Sequence, residues 1–206
     1  MSKLQRGFFD YLGIPGIISM LNLAVGWLAI VLLLINLPFL AISFTILAFF
    51  LDCLDGYVAR KIKKESEFGR QLDSSFDFFN YSVFSALLFW KFISPNILGI
   101  FVGFIILATG AFRLIRFNIE GYVIKINQLY YSGIVVCHVS LTTIILFIIQ
   151  QFYPQFISII AIPLMLIISI LQTSRILVKK TNTYGVWLTL AFFLLITSLI
   201  LQIWLK

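Results

Sequence analysis

The chain has 206 residues, of which 61% are apolar and only 11% charged, with a mean hydropathy of +1.07. A water-soluble domain of that length has too little interior to hide so much apolar surface, so the composition excludes one and makes a bilayer the solvent. The net charge of +7 comes with no basic patch interleaved with aromatics outside the membrane flanks, which argues against nucleic acid as a partner.

A crossing needs about 20 apolar residues, and seven stretches qualify: 14–36, 37–59, 71–92, 95–116, 129–151, 154–174 and 184–205. The expected fold is therefore an all-α polytopic membrane bundle of six to eight helices, with seven the preferred count, forming a single domain over 1–206. The basic start (Lys3, Arg6) and apolar run invite a signal-peptide reading. The run is too long for one, and no small-residue cleavage site follows it, so it is expected to stay as a span. Ahead of it, Leu4, Phe8, Tyr11 and Leu12 share one helical face, the pattern of a short amphipathic helix over 1–13 lying on the membrane surface.

Basic residues set the orientation. Lys3 and Arg6 precede the first span, and Arg60, Lys61, Lys63, Lys64 and Arg70 join the second and third. Arg113, Arg116 and Lys125 lie between the fourth and fifth, and Arg175, Lys179 and Lys180 between the sixth and seventh. With seven spans these places share one face, which positive charge in short loops marks as cytoplasmic. The N-terminus is expected inside. Arg175, Lys179 and Lys180 read as anchors for anionic lipid. Cys53 and Cys137 lie in apolar stretches without a partner at ligand spacing, so neither a disulfide nor a metal site is expected of them. His138, the only histidine, is expected to bond to a neighbouring helix.

The stretch that resists a bland reading is "LDCLDGYVARKIKKESEFGRQLDSSFDFF", 51–79. Asp52 and Asp55 are three apart on the second span, with Gly56 and Ala59 continuing their face; Gly69, Asp73 and Asp77 recur every four residues on the third. The short connection makes the two spans antiparallel neighbours, so four carboxylates converge just inside one membrane boundary. Like charges that close in low dielectric repel strongly, and Arg60 alone cannot neutralise them. Divalent cations can, and an oxygen-only ligand set selects hard ions: Mg²⁺, Mn²⁺ or Ca²⁺. Carboxylate-held divalent ions are a device for phosphoryl transfer. The small residues Gly56, Ala59 and Gly69 leave room for a ligand against the backbone.

The pattern Asp52-x2-Asp55-Gly56-x2-Ala59-Arg60-x8-Gly69-x3-Asp73-x3-Asp77 resembles, without a departure, the signature of the CDP-alcohol phosphotransferases, eight fixed positions in 26 residues. The resemblance implies a helical membrane fold of at least six spans in the cell membrane, usually a homodimer, with the site open to the cytoplasmic side. It implies transfer of a phosphatidyl or similar group from a CDP-linked lipid or alcohol to a hydroxyl, with release of CMP. It also implies two divalent cations held by Asp52, Asp55 and Asp73, with Asp77 completing the second site or taking the acceptor's proton. Gly56, Ala59 and Arg60 would then face the cytidine diphosphate, with Asn22, Asp55 and Gly69 beside it.

A second stretch bears on the acceptor. Gly110-Ala111-x-Arg113-Leu114-x-Arg116-Phe117-Asn118 is similar to a block in the bacterial and archaeal phosphatidylserine synthases of this family. "ISMLNLAVGWLAI", with Asn22 and Gly26, is similar to their first helix. This implies L-serine as acceptor, with Arg116 and Asn118 forming its pocket and Arg113 behind them. A guanidinium is a good bidentate partner for a carboxylate. The prolines those synthases carry at the start of the next span are absent from "YYSGIVVCHVS", although Gly133 is present. The rival acceptors are glycerol 3-phosphate, an inositol phosphate and choline. A cation transporter is the rival from another class, but it wants acids spread through the membrane depth, and spans five to seven hold none.

Overall fold

The computed structural model describes residues 8–62, 67–126, 128–180 and 184–204. All seven expected spans contain a helix. The helices are α1 (Phe8–Leu34), α2 (Pro38–Lys61), α3 (Glu67–Asp77), α4 (Phe84–Leu88), α5 (Ile97–Glu120), α6 (Val136–Gln150), α7 (Pro154–Thr173) and α8 (Tyr184–Trp204). The backbone stays right-handed helical from α3 into α4 and on to Ile93, but through π-helical turns at Phe78–Val83 and Phe89–Ile93. Four helices have the length and apolarity of a membrane crossing: Pro15–Leu34, α2, α5 and α7. Val136–Gln150 and Leu188–Trp204 are apolar but shorter. Of the expected surface helix, residues 1–7 lie outside the described residues, as do Lys63 and Lys64; from Phe8 the chain is already part of unbroken α1.

One expectation is corrected. The fifth stretch, 129–151, is helical only from Val136. Before it, Val123–Lys125 (β1) and Gln128–Ser132 (β2) form an antiparallel hairpin, and Leu177–Lys179 (β3) pairs with β2 to complete a three-stranded sheet. The sheet explains itself in hindsight. Val123, Ile124, Tyr130 and Tyr131 favour strands, and Gly133 breaks the run with a φ of +79°.

The chain packs as two compact units, Met1–Phe76 with Leu188–Lys206, and Asp77–Trp187. In the first, α1 and α2 form a hairpin whose turn places Asn36 at φ +64°, a left-handed position that asparagine tolerates. Pro38 opens α2, where its missing N–H costs nothing. Leu37 supplies no side-chain cap, and the N–H of Leu40 is taken instead by Gln202 Oε1 of α8 at 3.2 Å. Ser43 and Ser198 join hydroxyls at 2.7 Å along the same pair of helices. In the second unit, Phe84, Leu88, Phe89, Val102, Ile106, Val139, Ile157 and Met165 fill the interior. Thr143, Ser169 and Gln172 are buried with them, while Phe101, Phe104, Phe112 and Ile159 face outward. Polar groups inside and large apolar ones outside is the pattern for a protein in lipid.

Candidate functional site

The first unit carries a carboxylate pair. Asp55, on α2, is only 4% exposed, and Asp73, on α3, lies within electrostatic reach of it. Ser19 of α1 is buried, and its hydroxyl donates to Asp55 Oδ2 at 2.7 Å; Asp73 is near enough to feel both Asp55 and Ser19. Three helices therefore meet at this pair. Asp52 sits one turn earlier on α2, half-buried, and Asp77 one turn beyond Asp73, as the last residue of α3. π-Helical turns begin at the next residue, so the four-residue acid stripe ends where the helix widens.

Sequence reasoning passed over Ser19. The signal was present, since Ser19 and Asn22 are three apart and both are buried in a helix otherwise made of apolar residues. Asn22 and Gly26 are buried as well. Gly56 has a use other than the one expected. The Arg60 guanidinium folds back over it, and a Cβ at position 56 would lie 3.3 Å from Arg60 Nη1. That places a positive charge beside Asp55, with which Arg60 interacts electrostatically. Ala59 and Gly69 are half-buried.

The donor set suits a hard divalent cation by its chemistry, because two carboxylates from separate helices lie within electrostatic reach of one another and offer only oxygen ligands. Among the described residues, no three acidic, histidine or cysteine side chains close into a ligand shell.

The second unit carries the arginines. Arg113 is 4% exposed, and its guanidinium lies between two rings, 5.2 Å from the Phe117 centroid and 5.7 Å from that of Tyr131. Its Nε has no hydrogen-bond partner among the described residues. Asp77, at the start of this unit, acts on it electrostatically. Tyr122 joins the aromatic group, with centroids 5.1 Å from Phe117 and 5.2 Å from Tyr131, and Lys180 crowns it, 4.2 Å above the Tyr122 ring.

Arg116, expected at the front of an acceptor pocket, is committed elsewhere. Its Nη1 donates to Thr173 O at 2.8 Å, and its Nη2 to Ser132 O at 2.7 Å, Ser174 O at 3.0 Å and Gln172 O at 3.2 Å. These are the carbonyls that α7 leaves unsatisfied at its C-terminus, together with the last carbonyl of β2. Gly133 makes the clamp possible: a Cβ there would run into Gln172 O and Arg116 Nη2. Gln172 itself accepts from Thr109 of α5 at 2.9 Å. Asn118 is half-buried on the last turns of α5, and His138 lies 3.6 Å from the Cys137 sulfur. Both cysteines are free thiols.

Known proteins resemble this chain. The profile described as CDP-alcohol phosphatidyltransferase matches residues 12–205, nearly the whole chain. A protein of Methanocaldococcus jannaschii named CDP-diacylglycerol–serine O-phosphatidyltransferase is 38% identical over 109 residues, 52% of this chain and 50% of its own length. An archaetidylserine synthase of Methanothermobacter thermautotrophicus is 34% identical over 113 residues, 53% of this chain and 48% of its own. A CDP-diacylglycerol–serine O-phosphatidyltransferase of Bacillus subtilis is 35% identical over 109 residues, 52% of this chain and 62% of its own. The matches thus span about half the length of the first two relatives and less than two thirds of the third. With its profile match, its apolar helices and its unbroken eight-position signature, the chain belongs to the CDP-alcohol phosphatidyltransferase family of membrane proteins.

Proposed function

We propose that this protein transfers a phosphatidyl group, or its archaeal ether-lipid equivalent, from a CDP-linked lipid to the hydroxyl of L-serine. The serine oxygen forms a bond to the phosphorus that carries the lipid, the bond from that phosphorus to the CMP oxygen breaks, and CMP leaves. The observation that carries this reading is the buried Asp55, held by the Ser19 hydroxyl at 2.7 Å with Asp73 in electrostatic reach, two acids of the family signature. The names of the three relatives supply serine as the acceptor.

Asp52, Asp55, Asp73 and Asp77 are assigned to two divalent cations, Mg²⁺ or Mn²⁺ (Ca²⁺ has the same ligand preference), which would neutralise the diphosphate and stabilise the leaving CMP oxygen. Ser19 holds Asp55 in register. Arg60, lying over Gly56, takes the diphosphate, and Asn22, Asp55, Gly56, Ala59 and Gly69 line the cytidine side. Asp77 receives the serine hydroxyl's proton, since an alcohol needs a base within hydrogen-bond reach. Arg113 and Asn118 take the serine carboxylate; a guanidinium held between rings with an open Nε is suited to an anion. Arg116 stands behind them as a clamp on the backbone. The assembly is proposed to be a homodimer in the cell membrane with the acids at its cytoplasmic face, supported by the bias of lysine and arginine toward one side.

The test is to incubate purified protein with CDP-diacylglycerol, Mg²⁺ or Mn²⁺, and each labelled acceptor in turn. Serine-dependent CMP release with a matching lipid product is expected. Turnover of glycerol 3-phosphate or an inositol phosphate, with serine inert, would remove the acceptor assignment. Asp73→Ala is expected to abolish CMP release while leaving the helical circular-dichroism signal intact, and retained turnover would remove Asp73 from the machinery.

A further inference from the structure

The sheet takes no part in the chemistry above, yet it is tied closely to helices long enough to cross a membrane. β1 begins three residues after α5 ends at Glu120, and β3 four residues after α7 ends at Thr173. At ~3.3 Å per residue such connections hold its strand starts within roughly 15 Å of those helix ends, at the polar boundary of the bilayer and the water beside it. Strand register places Ile124 directly across from Leu129 on one face, and Ile126 follows β1 at the hairpin turn. Ile124 is 72% exposed and Ile126 96%, with Leu129 exposed beside them.

Ile126 is also held at φ +47°, a region that β-branched side chains avoid, at a cost of about 1–3 kcal/mol. Asparagine or glycine would suit such a turn better. An isoleucine placed here gives up both backbone ease and shelter from water, so an apolar medium outside the chain must receive it. The surrounding charge says which medium. Lys125 is exposed at the tip itself, and Lys179 is exposed on β3, across from Tyr130. A second copy of the chain would bring the same positive charge against itself, whereas an anionic leaflet answers both the apolar tip and its cationic flank.

We infer that the β1–β2 tip is a membrane-surface anchor selective for anionic lipid. Ile124, Ile126 and Leu129 enter the headgroup boundary of the adjoining leaflet, and Lys125 and Lys179 reach negatively charged headgroups with their stems alongside the apolar layer. Because Tyr131 of β2 packs against Arg113, docking the sheet steadies that guanidinium as well.

The experiment uses the full chain, reconstituted in lipid nanodiscs, with Ile126→Cys carrying an environment-sensitive fluorophore. Protein labelled without that substitution gives the background from Cys53 and Cys137. Emission is expected to shift to the blue and to be quenched by lipids brominated near the headgroup when the disc contains phosphatidylglycerol. In pure phosphatidylcholine the effect should be weaker. Lys125→Glu and Lys179→Glu should each lower the inserted-to-free ratio about fivefold or more, the factor that corresponds to ~1 kcal/mol for each basic residue at an anionic surface. A water-like probe in anionic discs overturns the anchor. So does quenching that is equal in both lipids, or a blue shift that depends on disulfide-trappable pairing of two copies through position 126. No readout involves turnover, so failure here leaves the transfer reaction standing, and failure of that reaction leaves the anchor standing.

Discussion

Ser19 holds in place one of two groups that ought to push apart. A hydroxyl buried beside a carboxylate has one proton to give, and the Asp55 oxygen at 2.7 Å takes it, fixing that side chain's rotamer against α1. Removing such a support behind metal ligands typically costs 10–100-fold in metal affinity. Ser19→Ala is therefore expected to raise the Mg²⁺ or Mn²⁺ concentration for half-maximal activity by about tenfold, with the maximal rate nearly restored at saturating metal. A metal titration in which the midpoint does not move would show that the serine serves packing alone. The acids themselves were legible in the sequence because their spacing of three and four announces shared helical faces. Ser19 was not, because its partner is 36 residues away and serine in a membrane helix usually bonds to its own preceding turn, where Pro15 O lies 3.1 Å away as the competing acceptor. Arg116 shows the opposite failure. Its identity was read from a motif, but only the fold reveals that four carbonyls surround it.

At the level of elements, that clamp ties one helix terminus, one strand end and one glycine together. Arg116→Ala strips charge-assisted hydrogen bonds from carbonyls that are for the most part partly buried, and Gly133→Ala forces a Cβ into one of them, Gln172 O, at a positive φ. Both variants are expected to lose ~2 kcal/mol or more of stability, read as a lower midpoint of thermal aggregation in detergent. Arg116→Lys should recover part of the loss, since an ammonium can still donate to helix-end carbonyls. If Arg116→Ala keeps full stability and only raises the serine requirement, Arg116 contacts the acceptor directly, as its motif had implied. The helical elements were readable from apolar length. The sheet was not, because a hairpin of mixed apolar and basic residues next to an apolar helix looks like that helix's own beginning. The stop at Gly133 and the run of aromatic and β-branched residues over 122–126 were the available cues. The π-helical turns after Asp77 leave no mark that sequence periodicity can read.

For the whole molecule, a buried pair of like charges makes stability depend on what neutralises it. Ions that bind the folded chain and not the unfolded one add stability by mass action, ~2.7 kcal/mol at a hundredfold excess over the dissociation constant. Chelation by EDTA should accordingly lower the melting midpoint by several degrees as activity disappears, and adding Mn²⁺ or Mg²⁺ should restore both. A melting midpoint indifferent to divalent ions, alongside unchanged turnover after chelation, would detach the carboxylates from any cation.

The partnership of α8 with α2 sets a timetable for biogenesis. The amide of Leu40 is capped by Gln202, and Ser43 meets Ser198, so the first unit is completed by residues synthesised only after the whole of 77–187. At about 5–20 residues per second, the hairpin of α1 and α2 must wait several seconds for its final strut while the whole of 77–187 is being made. Until then an uncapped amide and a hydroxyl face lipid, a provisional state in which insertion factors or quality-control proteases have their best chance to act on this protein.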